Sequence, residues 1–435
     1  MRDRDLRVVA LAALRPVPDF SRLRQLHRSS PAQLRRLLRW LDESGLALYL
    51  LTQLRDHDAL VRVPAAFAEA LKYRLAANQA RTQAMLDEFT RLVDSFDRNG
   101  VRFCALKGFT LTPEFCPAAH LRHQTDFDFL VAPHSLENAR RAMRSCGYDQ
   151  EQMGEPGEVT FATPLRHIPS PDDDIYAIPR HREVDLLTTL RLSTQGVTIN
   201  MALPNFDDLE TKLLHGVSFP ALPVAEMFCL QVMHAFRHLL GSWVRVAWLF
   251  EIGHFIDRHY GNEDLWRAII DRTGRDAKTQ NAFGLVISVT NVLFPRPLPR
   301  ALAAWCVQML PPRIRAWVDH LGLKTALADL DGAKFTLFVH REFVDDRRFW
   351  TSYVKDRIFP VGRRSSIGRV ATTSIGTKIR LTASQWRHTM HRFVFHAQSM
   401  FSLPLEAIRF RHALRSVEKQ NRAVAGTPAK VTYTV

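Results

Sequence analysis

The spacing of apolar residues in this chain changes from a helical period to a strand-like period close to residue 100. Over residues 33–50 and 65–96, apolar positions recur every three or four residues, as on the buried face of an amphipathic helix. The Asn-Gly pair at 99–100 then gives a strong stop and turn signal. Beyond it, Val101–Leu106 and Phe127–Val131 are short runs rich in aromatic and branched side chains, which favour strands.

A small α/β unit is predicted to follow this change, with helices on either side of it. Further strand candidates are Val159–Thr163, Ile175–Ile178 and Glu183–Leu187, and the helical period returns from Val224 to about Leu330. The predicted class is α+β, a small mixed sheet flanked by N-terminal and C-terminal helical segments. We expect four segments: helices over 1–98, the α/β core over 99–200, a helical domain over 201–335, and a basic, partly disordered extension over 336–435.

Positive charge is concentrated in the last quarter of the chain. The 435 residues carry 59 Lys and Arg against 44 Asp and Glu, a net charge of +15. Residues 341–435 hold 18 basic and 6 acidic side chains, which is +12 of that total. Arginines interleaved with aromatic residues could bind a polyanion such as nucleic acid or seat a helix on a membrane surface. They could equally stay solvated around a packed helical appendage.

Neither the apolar runs nor the cysteines suggest export or membrane insertion. No uninterrupted apolar stretch approaches the roughly 18 residues that a membrane-spanning helix needs. The short apolar run near the N-terminus follows Asp3 and Asp5 and lacks a small-residue cleavage site, unlike a signal peptide. Five cysteines, odd in number and widely spaced, predict reduced thiols. We therefore expect a cytoplasmic protein without a transmembrane segment.

The segment around Asp126-Phe127-Asp128-Phe129 carries the most informative chemical pattern. Residues two apart in a strand share a face, so Asp126 and Asp128 would project two carboxylates side by side. Like charges this close raise each other's pKa unless a cation sits between them. Carboxylate oxygens suit Mg²⁺, which completes its shell with water and substrate phosphate. The other interpretation is an edge strand with a solvated polar face.

A third acid follows on another predicted strand. Asp185 lies between Val184 and Leu186 and would face away from these two apolar residues. If its strand lies beside that of Asp126 and Asp128, three carboxylates converge, and such a cluster can hold two metal ions. Taken alone, the Val-Asp-Leu pattern more often marks a strand with a single solvated acid.

These motifs occur in an order that resembles the uncharacterised nucleotidyltransferase family of the polymerase-β-like superfamily. That family shows Leu-Lys-Gly at a strand end, then an arginine, then Asp-x-Asp before Leu-Val, and later an apolar-acid-apolar strand. The matching residues here are Leu106-Lys107-Gly108, Arg122, Asp126-Phe127-Asp128, Leu130-Val131 and Val184-Asp185-Leu186. Downstream, the family's helical His…Arg-x-x-Trp-x-x-acid segment is similar to His234, Arg245, Trp248 and Glu251.

The resemblance implies transfer of a nucleoside monophosphate from an NTP to an acceptor, with release of pyrophosphate. It implies that Asp126 and Asp128 ligate Mg²⁺, and that Asp185 completes a two-metal site and positions or deprotonates the acceptor. Gly108 would let the backbone approach the triphosphate. Lys107 and Arg122 are candidates for phosphate binding, although Arg122 could equally be a scaffold residue paired with Asp126 or Glu114. The acceptor stays open between a protein hydroxyl, a peptide, a small metabolite, a sugar and an RNA end.

Two positions depart from the pattern of these relatives. The wider superfamily usually has Gly-Ser or Gly-Gly where this chain has Gly108-Phe109, and the family often has histidine where this chain has Leu187. The alternative function is therefore a catalytically inactive binding protein that keeps the fold. It would use its basic C-terminal region, residues 341–435, on nucleic acid or an acidic partner.

Overall fold

A computed structural model gives the fold as two compact units. It describes residues 2–164, 174–178, 181–241, 244–273, 276–328, 334–358, 386, 390 and 401–419. The first unit comprises residues 1–192, 198–236 and 245–309, and the second comprises residues 193–197, 237–244 and 310–435.

The first unit is built on a mixed seven-stranded sheet, which confirms the predicted α+β class. Its strands are β1 (Phe103–Leu106), β2 (Asp126–Val131), β3 (Gln150–Met153), β4 (Glu158–Ala162), β5 (Glu183–Leu187), β8 (Glu210–Leu214) and β9 (Val217–Ala221). Their order is β3-β4-β5-β2-β1-β9-β8, with β2 parallel to β5 and β1 parallel to β9. The remaining pairs are antiparallel. Two short strands, β6 (Arg191–Thr194) and β7 (Val197–Asn200), form a separate ribbon.

Helices precede this sheet, follow it and, in one case, connect two of its strands. Those of the first unit are α1 (Asp3–Ala13), α2 (Pro31–Ser44), α3 (Ala47–Asp56), α4 (Ala65–Arg98), α5 (Leu136–Ser145), α6 (Val224–Leu240, whose last turn belongs to the second unit), α7 (Val246–Arg258), α8 (Glu263–Thr273), α9 (Ala277–Leu293) and α10 (Arg300–Leu302). The helical run predicted over 33–50 is in fact two helices. Gly45 ends α2 with a left-handed φ of 75°, a conformation that glycine adopts without steric cost.

One face of the sheet forms a core with α4 and α5. Phe127 and Phe129 of β2 point into this core, where both rings lie near Phe89 of α4. Since side chains alternate along a strand, Asp126 and Asp128 lie on the opposite face of β2. The alternation read from the sequence thus sets which face of the sheet carries the acids.

Two features of the sheet differ from the sequence predictions. The strand predicted at Ile175–Ile178 is wrong, because Asp174 there caps a turn and its carboxylate accepts a hydrogen bond from the Tyr176 amide. The hairpin of β8 and β9 was not predicted. Its turn is His215-Gly216, both with positive φ, and histidine is a weaker turn signal there than Asn or Asp.

The described part of the second unit is helical. It contains α11 (Pro312–Trp317), α12 (Leu323–Ala326), α13 (Leu337–His340), α14 (Arg347–Ile358) and a C-terminal helix over residues 401–419. The disorder predicted within 336–435 falls on residues outside the described ranges. Among the described helices of the whole chain, none combines the length and the apolar character needed to cross a membrane. All five cysteines are free thiols.

Candidate functional site

The acids of β2 and β5 lie side by side in the middle of the sheet. These two strands are parallel neighbours, and their register places Asp128 opposite Asp185. The same row continues to Thr160 on β4 and to Leu106 on β1. Asp126 lies two residues earlier on the same face of β2. Because β2 is a central strand and Asp128 is only 8% exposed, the solvated edge-strand interpretation of Asp-x-Asp is wrong.

Lys107, directly after β1, brings a cation to this row of acids. Its Nζ lies 2.7 Å from Oδ1 of Asp128, and both side chains are largely buried. Burial disfavours the charged form of Lys107, but the nearby carboxylates of Asp128, Asp126 and Asp185 together outweigh it and raise the pKa of Lys107. Burial also raises the pKa of Asp128, although the Lys107 ammonium opposes that effect. Lys107 therefore supplies the positive charge that neutralises the buried Asp128 carboxylate.

The backbone at Lys107 and Gly108 turns sharply at the edge of the site. Lys107 has a φ of 49°, which is uncommon for a residue with a Cβ, and Gly108 has a φ of 47°. A Cβ on Gly108 would lie 2.5 Å from Nε2 of Gln124, which in turn donates to the Asp126 carbonyl oxygen. Glycine is thus favoured here by its positive φ and by the Gln124 amide beside it, whatever its part in phosphate binding.

Asp185 is held in place by Thr160 of the adjacent strand. The Thr160 hydroxyl donates to Oδ1 of Asp185 at 2.6 Å. Burial raises the pKa of Asp185 to about 6, the hydrogen bond from Thr160 opposes the rise, and Asp128 and Asp126 add to it. The Asp185 carboxyl therefore loses its proton near pH 6, a little below neutral pH.

The donor atoms of this row match the preferences of Mg²⁺, since three carboxylates from two rigid strands face one side of the sheet. In their present positions, however, Asp128 is paired with Lys107 and Asp185 with Thr160. Within the described residues, no group of three or more His, Cys, Asp or Glu side chains is arranged to hold a metal ion. The three carboxylates are therefore ligands of the type that Mg²⁺ prefers. Coordination of a metal by Asp128 would compete with its ion pair to Lys107.

Arg122 is engaged in a buried ion pair. Its Nε lies 3.1 Å from Oε1 of Glu251 on α7, whose side chain is 1% exposed. The same carboxylate accepts a hydrogen bond from the Tyr49 hydroxyl at 2.9 Å. Although burial opposes the charge, Glu251 raises the pKa of Arg122. Arg122 therefore has a scaffold partner, which is neither of the two suggested by the sequence, since Glu114 pairs with Arg258 and His259.

Helix α4 fastens the segments that lead into β2 and β5. The Arg81 guanidinium donates to the carbonyl oxygens of Gln124 and Ala177, so that one buried side chain ties the two approaches together. Burial lowers the pKa of Arg81 to about 10, which reflects the cost of keeping this charge inside. Further along α4, Glu88 pairs with Arg182, the residue before β5. Thus α4 supports the register of Asp128 and Asp185.

Several of these supporting residues were missed in the sequence. Arg81 and Glu88 occupy positions on the apolar stripe of α4, where a buried charge is unusual and signals a specific partner. The sequence therefore shows that these two positions are unusual, but it does not show which residues Arg81 and Glu88 bind. Thr160 carries no signal, because threonine is common in strands.

A family described as uncharacterised nucleotidyltransferase matches residues 30–295, more than half of the chain. The matched range includes α4, all seven strands of the sheet and the Arg122–Glu251 pair. A search of curated proteins gave no match. On the strength of the family match, this chain belongs to the uncharacterised nucleotidyltransferase family.

Proposed function

We propose that the protein is a Mg²⁺-dependent nucleotidyltransferase that moves a nucleoside monophosphate from an NTP to an acceptor and releases pyrophosphate. The observation that carries the proposal is the opposed pair Asp128 and Asp185 on adjacent parallel strands, with Asp126 on the same face. Family membership supports nucleotidyl transfer in general. The metal, the NTP and the acceptor are our proposal.

The roles of the side chains follow from their chemistry. Asp126, Asp128 and Asp185 would hold Mg²⁺, which supplies positive charge to a triphosphate and its leaving group when bound. Asp185, with a pKa of about 6, is suited to accept a proton from an acceptor hydroxyl near neutral pH. Lys107 neutralises Asp128 in the present structure and, once Asp128 coordinates the metal, would offer its N–H donors to phosphate oxygens. Arg122 would support the loop before β2 through Glu251.

The test uses NTPs labelled at the α-phosphate, incubated with Mg²⁺, the full-length protein and a panel of acceptors. The panel covers the protein itself, a peptide mixture, hydroxylated metabolites, sugars and short RNA. We expect label to move to one of these classes. Asp126→Asn and Asp128→Asn should each reduce the rate on the order of 10³-fold, because each removes a carboxylate that stabilises the transition state.

A matched control is Asp264→Asn on α8. This side chain is 89% exposed and pairs only with its neighbour Arg267 in the described residues, so the rate should not change. Transfer that survives both Asp126→Asn and Asp128→Asn would eliminate this site. Absence of transfer to every acceptor class, together with salt-sensitive binding of a polyanion, would favour the inactive binding protein instead.

A further inference from the structure

The C-terminal helix (residues 401–419) is held to the second unit by one of its faces. Glu406, 8% exposed, accepts from Lys324 Nζ at 2.9 Å and lies 3.1 Å from the His320 ring nitrogen. Phe410, 2% exposed, stacks on Phe338 with the ring centroids 5.2 Å apart. A buried aromatic ring and a buried carboxylate with two partners outside the helix fix the orientation of the helix about its own axis.

The opposite face of this helix exposes an apolar stripe. Phe401, Leu405 and Ile408 are 81%, 59% and 54% exposed. Their spacing of four and then three residues puts them on one line along the helix surface. Single exposed apolar residues are ordinary, whereas a contiguous row of three is typical of an interaction surface.

Cations border this stripe. At 100° per residue, Arg415 and Lys419 continue the line of Phe401 and Ile408, and Arg411 lies along its side; all three are exposed. Of the two acids in the helix, Glu406 lies on the docked face. The other, Glu418, projects about 100° away from the stripe. The exposed surface is therefore apolar at one end, basic at the other, and free of acidic side chains along its line.

We propose that this face of the C-terminal helix binds the surface of an anionic membrane. The stripe would enter the boundary between headgroups and acyl chains, while the arginines and the lysine contact lipid phosphates and carboxylates. A surface that stacks bases needs a series of aromatic rings, and two of the three stripe residues are aliphatic, which favours lipid over nucleic acid. Farther upstream, Trp386 is 66% exposed, and tryptophan is enriched at membrane surfaces.

The proposal does not depend on the proposed enzymatic activity, and its test measures binding alone. The full-length protein is sedimented with vesicles of phosphatidylcholine, with or without phosphatidylserine. We expect binding only to the vesicles that contain phosphatidylserine, and weaker binding as salt is raised. Leu405→Gln combined with Ile408→Gln should weaken it at least tenfold, since both side chains lose favourable burial. Arg411→Gln combined with Arg415→Gln should also weaken it at least tenfold.

The matched control removes apolar surface elsewhere. Val17→Gln combined with Val61→Gln alters two valines that are 85% and 86% exposed in the first unit, and binding should not change. Equal thermal unfolding of all variants checks that they fold, as expected for exposed positions. Failure to sediment with anionic vesicles, equal binding to neutral vesicles, or an unchanged affinity in the Leu405/Ile408 variant would each overturn the proposal. Binding of single-stranded RNA without vesicle binding would overturn it in favour of a nucleic-acid surface.

Discussion

Replacing Asp185 with asparagine should stabilise the fold and abolish the proposed activity at the same time. Asp185 is ionised at neutral pH inside a cluster that already contains Asp126 and Asp128. Asn keeps the size of the side chain and an oxygen that accepts the hydrogen bond from Thr160. Asp185→Asn therefore removes a repelled, partly desolvated charge while leaving the hydrogen bond from Thr160 in place.

The magnitude follows from the raised pKa of Asp185. Its folded value is about 6 against an ordinary value of 3.8, and one pKa unit corresponds to about 1.4 kcal/mol, so ionisation costs up to about 3 kcal/mol of folding free energy. Between these two pKa values the folded state binds more protons than the unfolded state. Stability therefore falls as pH rises from about 4 to about 6, and the full cost is present above that window.

The assay is urea unfolding of the full-length chain at pH 4.5 and pH 7.5, with hydrogen exchange of peptides from β2 and β5 as the local readout. We expect Asp185→Asn to be more stable than wild type at pH 7.5, and the difference to shrink at pH 4.5. Asp264→Asn, at an exposed position, is the control and should not change the pH profile. A variant less stable than wild type at pH 7.5, or a difference that does not vary with pH, would refute the reasoning.

Three further changes test the supporting structure. Glu251→Ala should destabilise the first unit by about 3–5 kcal/mol, because it leaves the Arg122 cation buried without its partner. The control, Asp3→Ala in the exposed pair with Arg36, should cost less than about 1 kcal/mol, and urea unfolding measures both. Gly108→Ala should destabilise by about 1–3 kcal/mol through its positive φ and its contact with Gln124, and adding Gln124→Ala should restore only the contact part in a double-mutant cycle. Phe410→Ala should lower the free energy of unfolding of the second unit by about 3–5 kcal/mol and make the C-terminal helix more sensitive to limited proteolysis, because this ring is buried. Phe401→Ala, at an exposed position of the same helix, should leave the cleavage rate unchanged.

The local parts of the site could be predicted from the sequence. Alternation of Asp and Phe from Asp126 to Phe129 gave the correct face for the acids, and the Val-Asp-Leu pattern gave the strand of Asp185. Both rest on the two-residue period of a strand, which acts over a few residues. The register that sets Asp128 beside Asp185 links positions 57 apart, and no short pattern specifies it.

The partners of the buried charges could not be predicted. Glu251 lies 129 residues after Arg122, and its approach depends on how α7 packs in the first unit. The acids nearest to Arg122 in sequence, Asp126 and Glu114, suggested themselves as partners instead. Charge pairing over such distances follows from tertiary packing, which the periodicity of single elements does not encode. Lys107 could be named as a cation near the site, but its ion pair with Asp128 depended on the pairing of β1 with β2.

The energetic cost of the acidic row bears on the choice between an enzyme and an inactive binding protein. A fold under selection for stability alone would gain from apolar residues at these positions, because replacing a buried ion pair by packed apolar groups is often neutral or stabilising. This chain keeps Lys107 in an unfavourable backbone conformation beside a buried Asp128, and adds Asp185 with a raised pKa in the same row. Such costs concentrate at sites that bind charged ligands or perform proton transfer. None of them is needed for a basic surface on the C-terminal helix, so the acidic row favours the enzyme.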